Sequence, residues 1–311
     1  MQRRTIVDAR AIALLVFLCA LWGLQQVAIK QAIVEGLPPF LQAALRSLIA
    51  GILVAVWIVW RQGWPALRGL VAKGSGRWPG LLIATCFGIE FLLLYPGLQL
   101  TSASRGVLFL YTAPFFTALG AHLFLPGEQL RSRQVAGLLI AFAGVAIAFA
   151  QGLIHGGGSL LGDLMCAGAA LGWGINTVLV KASPGLRATS PAGLLLYQIG
   201  GSAPILLAGA WFAGDLGHLP AATDFAWASL LYQSVIVAFA SYLAWFWLVS
   251  TYPATQIAGF TFLTPVFGIA AGALLLGEQL SMALFAGLLA IAIGMRLLRP
   301  APIGSAAPKP V

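Results

Sequence analysis

Long apolar stretches, separated by short joints rich in charge, proline or glycine, run almost without pause from residue 11 to residue 298. A bilayer core about 30 Å thick takes roughly 20 helical residues. Cutting the chain at charges, prolines and glycine clusters predicts ten helices of about that length, over 11–30, 38–60, 79–100, 103–125, 131–150, 160–181, 190–213, 223–250, 254–276 and 280–298. The longest joint, 61–78, is too short to fold as a soluble domain. The pattern therefore predicts an all-α polytopic membrane protein whose chemistry lies between its helices.

Composition agrees. Of 311 residues, 60% are hydrophobic and 8% charged, against roughly 25% charged in a soluble domain, and the mean hydropathy is +0.95. The net charge of +9 does not point to nucleic acid, because the basic residues form no dense run. It points instead to the Lys/Arg bias that orients membrane proteins. With the N-terminus cytoplasmic, fourteen Lys and Arg fall on the inner side, among them Arg3, Arg4, Arg10, Arg61, Arg131, Arg133 and Arg296, and only Lys30 and Arg105 on the outer. Both termini are thus expected in the cytoplasm, with residues 1–10 and 299–311 as cytoplasmic tails. Arg3, Arg4 and Arg10 before Ala11–Leu21 resemble a secretory leader. Trp22-Gly23-Leu24-Gln25-Gln26 follows with no small-x-small cleavage site, so the segment is expected to stay as the first helix. Cys19, Cys86 and Cys166 sit within apolar segments, with no disulfide or zinc spacing.

The chain repeats itself. Trp22-Gly23-Leu24-Gln25-Gln26-Val27-Ala28-Ile29-Lys30 matches Trp173-Gly174-Ile175-Asn176-Thr177-Val178-Leu179-Val180-Lys181 at an offset of 151. Pro114 matches Pro265 at the same offset, and Gly127-Glu128-Gln129-Leu130 returns as Gly277-Glu278-Gln279-Leu280 at 150. Ala136-Gly137-Leu138-Leu139 returns as Ala286-Gly287-Leu288-Leu289. Repeats over 11–150 and 160–298, each with an odd number of spans, must enter the membrane from opposite sides. Inverted repeats are the usual construction of carriers that alternate access around a site near the midplane.

The Trp-Gly-x6-Lys stretch opening each half, and the Pro…Gly-Glu closing the fourth span, resemble the drug/metabolite transporter superfamily. Within it the chain is similar to the EamA-type exporters, with a YddG-like branch of amino-acid exporters as the nearest fit. The resemblance covers residues 11–298. It implies a ten-helix basket in which spans 1–4 and 6–9 surround a central cavity, export as the direction, and amino acids, aromatic ones included, as substrates. Sugars, nucleotide sugars and drugs are also carried in the superfamily, so another metabolite or a drug remains an alternative.

Residues at i, i+4 and i+8 form a helical stripe. These stripes are Trp22, Gln26 and Lys30 in the first span and Trp173, Thr177 and Lys181 in the sixth, with Gln25 and Asn176 alongside. Amides in a span need partners that the bundle interior supplies; both stripes are expected to face the cavity, with the lysines near opposite gates or snorkelling to headgroups. Glu90 and Arg46 lie deep, where a charge costs about 2.5–3.5 kcal/mol. Their economical arrangement is a buried ion pair with a structural role; the alternative is a carboxyl that carries a proton during transport. Tyr95, Phe109, Tyr111, Tyr242, Trp245 and Trp247 are candidates for an aromatic wall, or for interfacial positions. Pro96, Pro114, Pro204 and Pro265 predict kinks, and Glu128 and Glu278 read as helix-end markers.

No Gly-x4-Gly-Lys-Ser/Thr stretch is present, and His122, His155 and His218 are scattered without a catalytic motif. The expectation is a monomeric secondary transporter of the cell inner membrane, moving a small-molecule substrate without cofactor, metal or nucleic acid. A channel, a scramblase and an intramembrane enzyme are the alternatives of other classes.

Overall fold

The computed structural model describes residues 7–72, 76–101, 103–148, 150, 159–218, 222–276 and 282–298. All the described elements are helices: α1 (Ala9–Val34), α2 (Pro39–Gln62), α3 (Trp64–Val71), α4 (Arg77–Leu100), α5 (Ala103–Leu110), α6 (Ala113–Phe124), α7 (Ser132–Ala148), α8 (Leu160–Ala182), α9 (Pro191–Phe212), α10 (Asp224–Thr251), α11 (Ala254–Phe260), α12 (Thr264–Leu276) and α13 (Met282–Leu298). α1, α2, α4, α8, α9 and α10 are long and apolar enough to cross a bilayer, and shorter apolar helices accompany them. Among the described residues, length and composition alone mark six candidate crossings, and the count of ten stays an expectation from the sequence. Trp60 (70% exposed), Trp78 and Phe212 stand on the outer surface, where lipid rather than water accommodates them. Arg61 lies over Trp57 and Trp60, Arg68 over Trp64 and Arg77 over Trp78, the basic and aromatic belt expected at a membrane interface.

Capping side chains fix where helices begin. Asp8 accepts from the Ala11 amide at the start of α1, Ser159 from Gly162 at the start of α8, and Thr223 from Ala226 at the start of α10. Asp215 reaches across from the end of α9 and accepts from the Phe40 and Leu41 amides at the start of α2 (3.0 and 3.1 Å).

The internal repeat reappears as packing. A Cβ on Gly23 of α1 would meet Phe267 Cβ and the Gly268 amide of α12; a Cβ on Gly174 of α8 would meet Phe116 Cβ and the Thr117 amide of α6. Each of these residues is 151 positions from its counterpart. α7 and α13 cross antiparallel through four glycines, Gly137 against the Gly294 carbonyl and Gly144 against the Gly287 carbonyl, with the reverse contacts also made. Two equivalent helices that run antiparallel and touch reciprocally are what two-fold, inverted halves produce. A side chain at any of these glycines would hold the backbones apart.

Two of the four expected kinks take another form. Pro114 and Pro265 do not bend a continuous helix: each stands in the first turn of a new one, α6 and α12, after a break at 111–112 and at Thr261–Leu263. Proline at that position loses no hydrogen bond. Pro96 and Pro204 are inside α4 and α9 as expected.

Candidate functional site

The breaks and the crossing of α1, α4, α8 and α10 leave a cavity in the middle of the bundle, with about 70 Å³ open to the centres of water-sized molecules. α1 contributes Trp22 and Gln25, α8 contributes Trp173, Asn176 and Thr177, and α10 contributes Tyr242, Trp245 and Val249. Glu90 of α4 and Tyr111 at the 111–112 break are the other expected residues found in the lining, and Gln198 of α9 joins them. In two stretches the helical bonding widens to i→i+5, over Leu196–Gly200 around Gln198 and over Tyr232–Ser241 just before Tyr242. Such π turns turn side chains out of regular helical register.

At the centre stand the two tryptophans of the repeated motif. Trp22 and Trp173 meet edge to face, ring centroids 6.2 Å apart, and Trp22 meets Tyr242 and Trp245 in the same manner at 6.0 and 5.4 Å. Tyr111 closes on Trp173 at 6.0 Å. Rings at near right angles build corners, so these form walls rather than a stack. The Trp22 indole N–H donates to Ser241 Oγ at 2.8 Å, which fixes one wall. The amides are less committed: both side-chain atoms of Asn176, which is 4% exposed, lack a hydrogen-bond partner.

The expected Arg46–Glu90 ion pair is not made as a contact. Arg46 is fully buried, donates through Nη2 to the Tyr242 hydroxyl at 2.8 Å, and leaves Nε and Nη1 unpartnered. Its guanidinium carbon lies 4.7 Å from the Phe91 ring centroid and 5.2 Å from that of Tyr242. Planar guanidinium stacks on aromatic faces readily, and the two rings take the place given to the carboxylate. Glu90 remains within electrostatic reach of Arg46, and its carboxyl interacts with the Asn176 side chain, though without the geometry of a well-formed hydrogen bond.

Other expected residues fall elsewhere. Tyr95 is fully buried in the hydrophobic core beside Phe91 rather than in the lining, and Phe109 packs against the same core. Trp247 is on the far face of α10, partly exposed and edge-on to Tyr252. The side chains of Gln26 and Lys30, and the whole of Glu278, lie outside the described residues.

Lys181 is neither in the lining nor at the headgroups. Its ammonium donates to Glu128 Oε1 at 2.9 Å and to the Tyr252 carbonyl at 2.6 Å. Glu128 Oε2 accepts from the Ala254 amide at 2.7 Å, and the Tyr252 hydroxyl donates to Asp8 at 2.9 Å. The ends of α1, α6, α8 and α10 and the start of α11 are thereby tied together at one end of the bundle. Ala121, Leu125, Ala182 and Ala254 pack beside the pair. Glu128 is therefore more than a helix-end marker. The sequence reading also missed Phe87, Phe91 and Leu94 of the lining. They share the face of α4 that carries Glu90, at spacings of three and four, so the helical stripe through Glu90 held the signal.

Comparison with known proteins matches both halves. The model of the EamA-like transporter family matches residues 9–150 and again 160–299. An uncharacterized transporter YvbV of Bacillus subtilis (strain 168) is 32% identical over 91% of this chain and 89% of its own length. A probable amino-acid metabolite efflux pump of Escherichia coli (strain K12) is 30% identical over 88% of this chain and 89% of its own. A solved crystal structure with 20% identity has the same fold, with a TM-score of 0.74 over 93% of this chain and 96% of that one.

Proposed function

The chain belongs to the EamA-like transporter family of the drug/metabolite transporter superfamily, and from that premise we propose that it is a secondary carrier exporting small amphipathic metabolites, amino acids and aromatic ones among them, by alternating access. The observation that carries the reading is the central cavity at the contact between the two repeats. Its walls are aromatic, its polar groups few and converging, and the Lys181–Glu128 pair ties helix ends together at one end of the bundle. An apolar pocket with a few placed polar groups suits a solute with a ring or alkyl part and a charged head. The name of the Escherichia coli relative supports amino acids as the class.

On this reading Trp22, Gln25, Glu90, Tyr111, Trp173, Asn176, Thr177, Tyr242 and Trp245 contact the solute. We further propose ten spans in inverted repeats over 11–150 and 160–298, with both termini in the cytoplasm by the Lys/Arg bias, the cell inner membrane as the location and a monomer as the working unit.

Counterflow in proteoliposomes tests this reading. Labelled phenylalanine should accumulate transiently against an internal unlabelled pool, which a pore or a scramblase cannot drive. Passive equilibration without overshoot would exclude a carrier for this solute, and a panel of sugars and drugs would then decide between a different cargo and a different class.

A further inference from the structure

Among the described residues that face the cavity, only Glu90 is of a charged type. Arg46, the other charge near it, is outside the lining, held against the Phe91 and Tyr242 rings and bonded to the Tyr242 hydroxyl. A solute in the cavity thus meets one carboxylate, the rings of Trp22, Trp173, Tyr242 and Trp245, and neutral amides. Carboxylate and ring faces share one preference: both attract a cation, the rings through their quadrupoles. Among the described lining residues an anionic solute meets no cation to offset its desolvation.

We infer that the cavity selects its solute by a positively charged amine, with Glu90 as the counter-ion, and that a solute carboxylate is not required. This deepens the amino-acid reading and rests on it only for the claim that the cavity is the transport site. Arg46 acts behind the wall: its charge offsets that of Glu90 while the cavity is empty, and its hydrogen bond holds Tyr242 in place. The α-ammonium of an amino acid sits at Glu90. Its carboxylate then falls to the amides, of which Asn176 has both polar atoms unpartnered and buried. Buried polar atoms of that kind call for an occupant, and an amide N–H can serve a carboxylate, an ester or an amide carbonyl alike. Selectivity therefore follows the amine.

The test uses the purified protein and its cavity tryptophans. Intrinsic fluorescence is titrated with phenylalanine, phenylalanine amide, phenylethylamine, N-acetylphenylalanine and 3-phenylpropionate, and the same compounds compete with labelled phenylalanine in proteoliposomes. The three amine-bearing compounds should bind within about fivefold of one another and the two without a charged amine about tenfold or more weaker, as loss of a buried charge partner requires. Glu90→Gln should erase that ranking by weakening the amines alone, and Glu90→Asp should restore part of it. N-acetylphenylalanine binding as well as phenylalanine to the native protein would overturn the inference even if no variant folds. A ranking unchanged in Glu90→Gln would overturn it too. Should phenylalanine not be transported while phenylethylamine binds, the amino-acid reading fails and the amine site stands. Should phenylalanine be transported without any preference for the amine, the reverse holds.

Discussion

Removing the Lys181 ammonium should loosen one end of the bundle specifically. In Lys181→Met the Glu128 carboxylate keeps the Ala254 amide (2.7 Å) but loses a cation 2.9 Å away, in a place where the two side chains are 14% and 4% exposed. Breaking a buried pair by deleting one partner costs about 3–5 kcal/mol. Because solvent reaches part of Glu128, the expected loss is smaller, about 2–3 kcal/mol. If the pair is made only while this end is closed, that energy becomes a shift of roughly 30- to 150-fold toward the open arrangement. The assay is maleimide labelling of a cysteine in place of Leu125, a buried neighbour of the pair, in a background lacking the three native cysteines. Its rate should rise by about that factor, capped where labelling becomes diffusion-limited. The double variant Lys181→Met/Glu128→Gln should lie closer to the parent than the single one, since no carboxylate is left unpaired. Labelling and melting temperature equal to the parent's in the single variant would mean that the pair is no latch.

Three further outcomes follow from the packing. Gly287→Val would put a Cβ 2.5 Å from the Gly144 carbonyl; it should lower thermal stability in detergent by about 1–3 kcal/mol, and an unchanged melting temperature would contradict the close crossing of α7 and α13. Trp22→Phe deletes the indole hydrogen bond to Ser241 (2.8 Å) while keeping most of the ring, so it should cost only about 1 kcal/mol of stability yet change solute affinity, read by titration of the remaining tryptophan fluorescence. Arg46→Lys keeps the charge but loses the guanidinium's contact with the Phe91 and Tyr242 rings. Transport should fall although the protein folds, and full activity would reduce Arg46 to a simple counter-charge.

Most of the architecture was legible because it is written twice. Trp22 and Trp173 recur at an offset of 151 and Gly137 and Gly287 at 150, and Gly23 and Gly174 each meet a phenylalanine Cβ and the following amide, 151 positions apart. The site was legible where periodicity decides the facing side: Gln25 beside Trp22, Asn176 and Thr177 beside Trp173. On α10 the same rule holds past the i→i+5 stretch over Tyr232–Ser241: Tyr242 and Trp245, three apart, face in, and Trp247, two further on, faces out. Charge partners were the least legible. Glu128 and Lys181 are 53 residues apart, and nothing local links them. Arg46 takes aromatic partners that opposite-charge reasoning does not consider. Helix breaks at Pro114 and Pro265 looked like kinks because an apolar sequence continues through both.

The two-sided accessibility of a single cysteine replacing Asn176 is the most direct measurement of the carrier mechanism. This position is buried in the cavity, and membrane-impermeant reagents can be applied to oriented vesicles from either face. Alternating access predicts labelling from both faces, with solute slowing both rates and the Lys181→Met variant raising one at the expense of the other. Labelling from one face under every condition, or two rates that rise together in the variant, would contradict it.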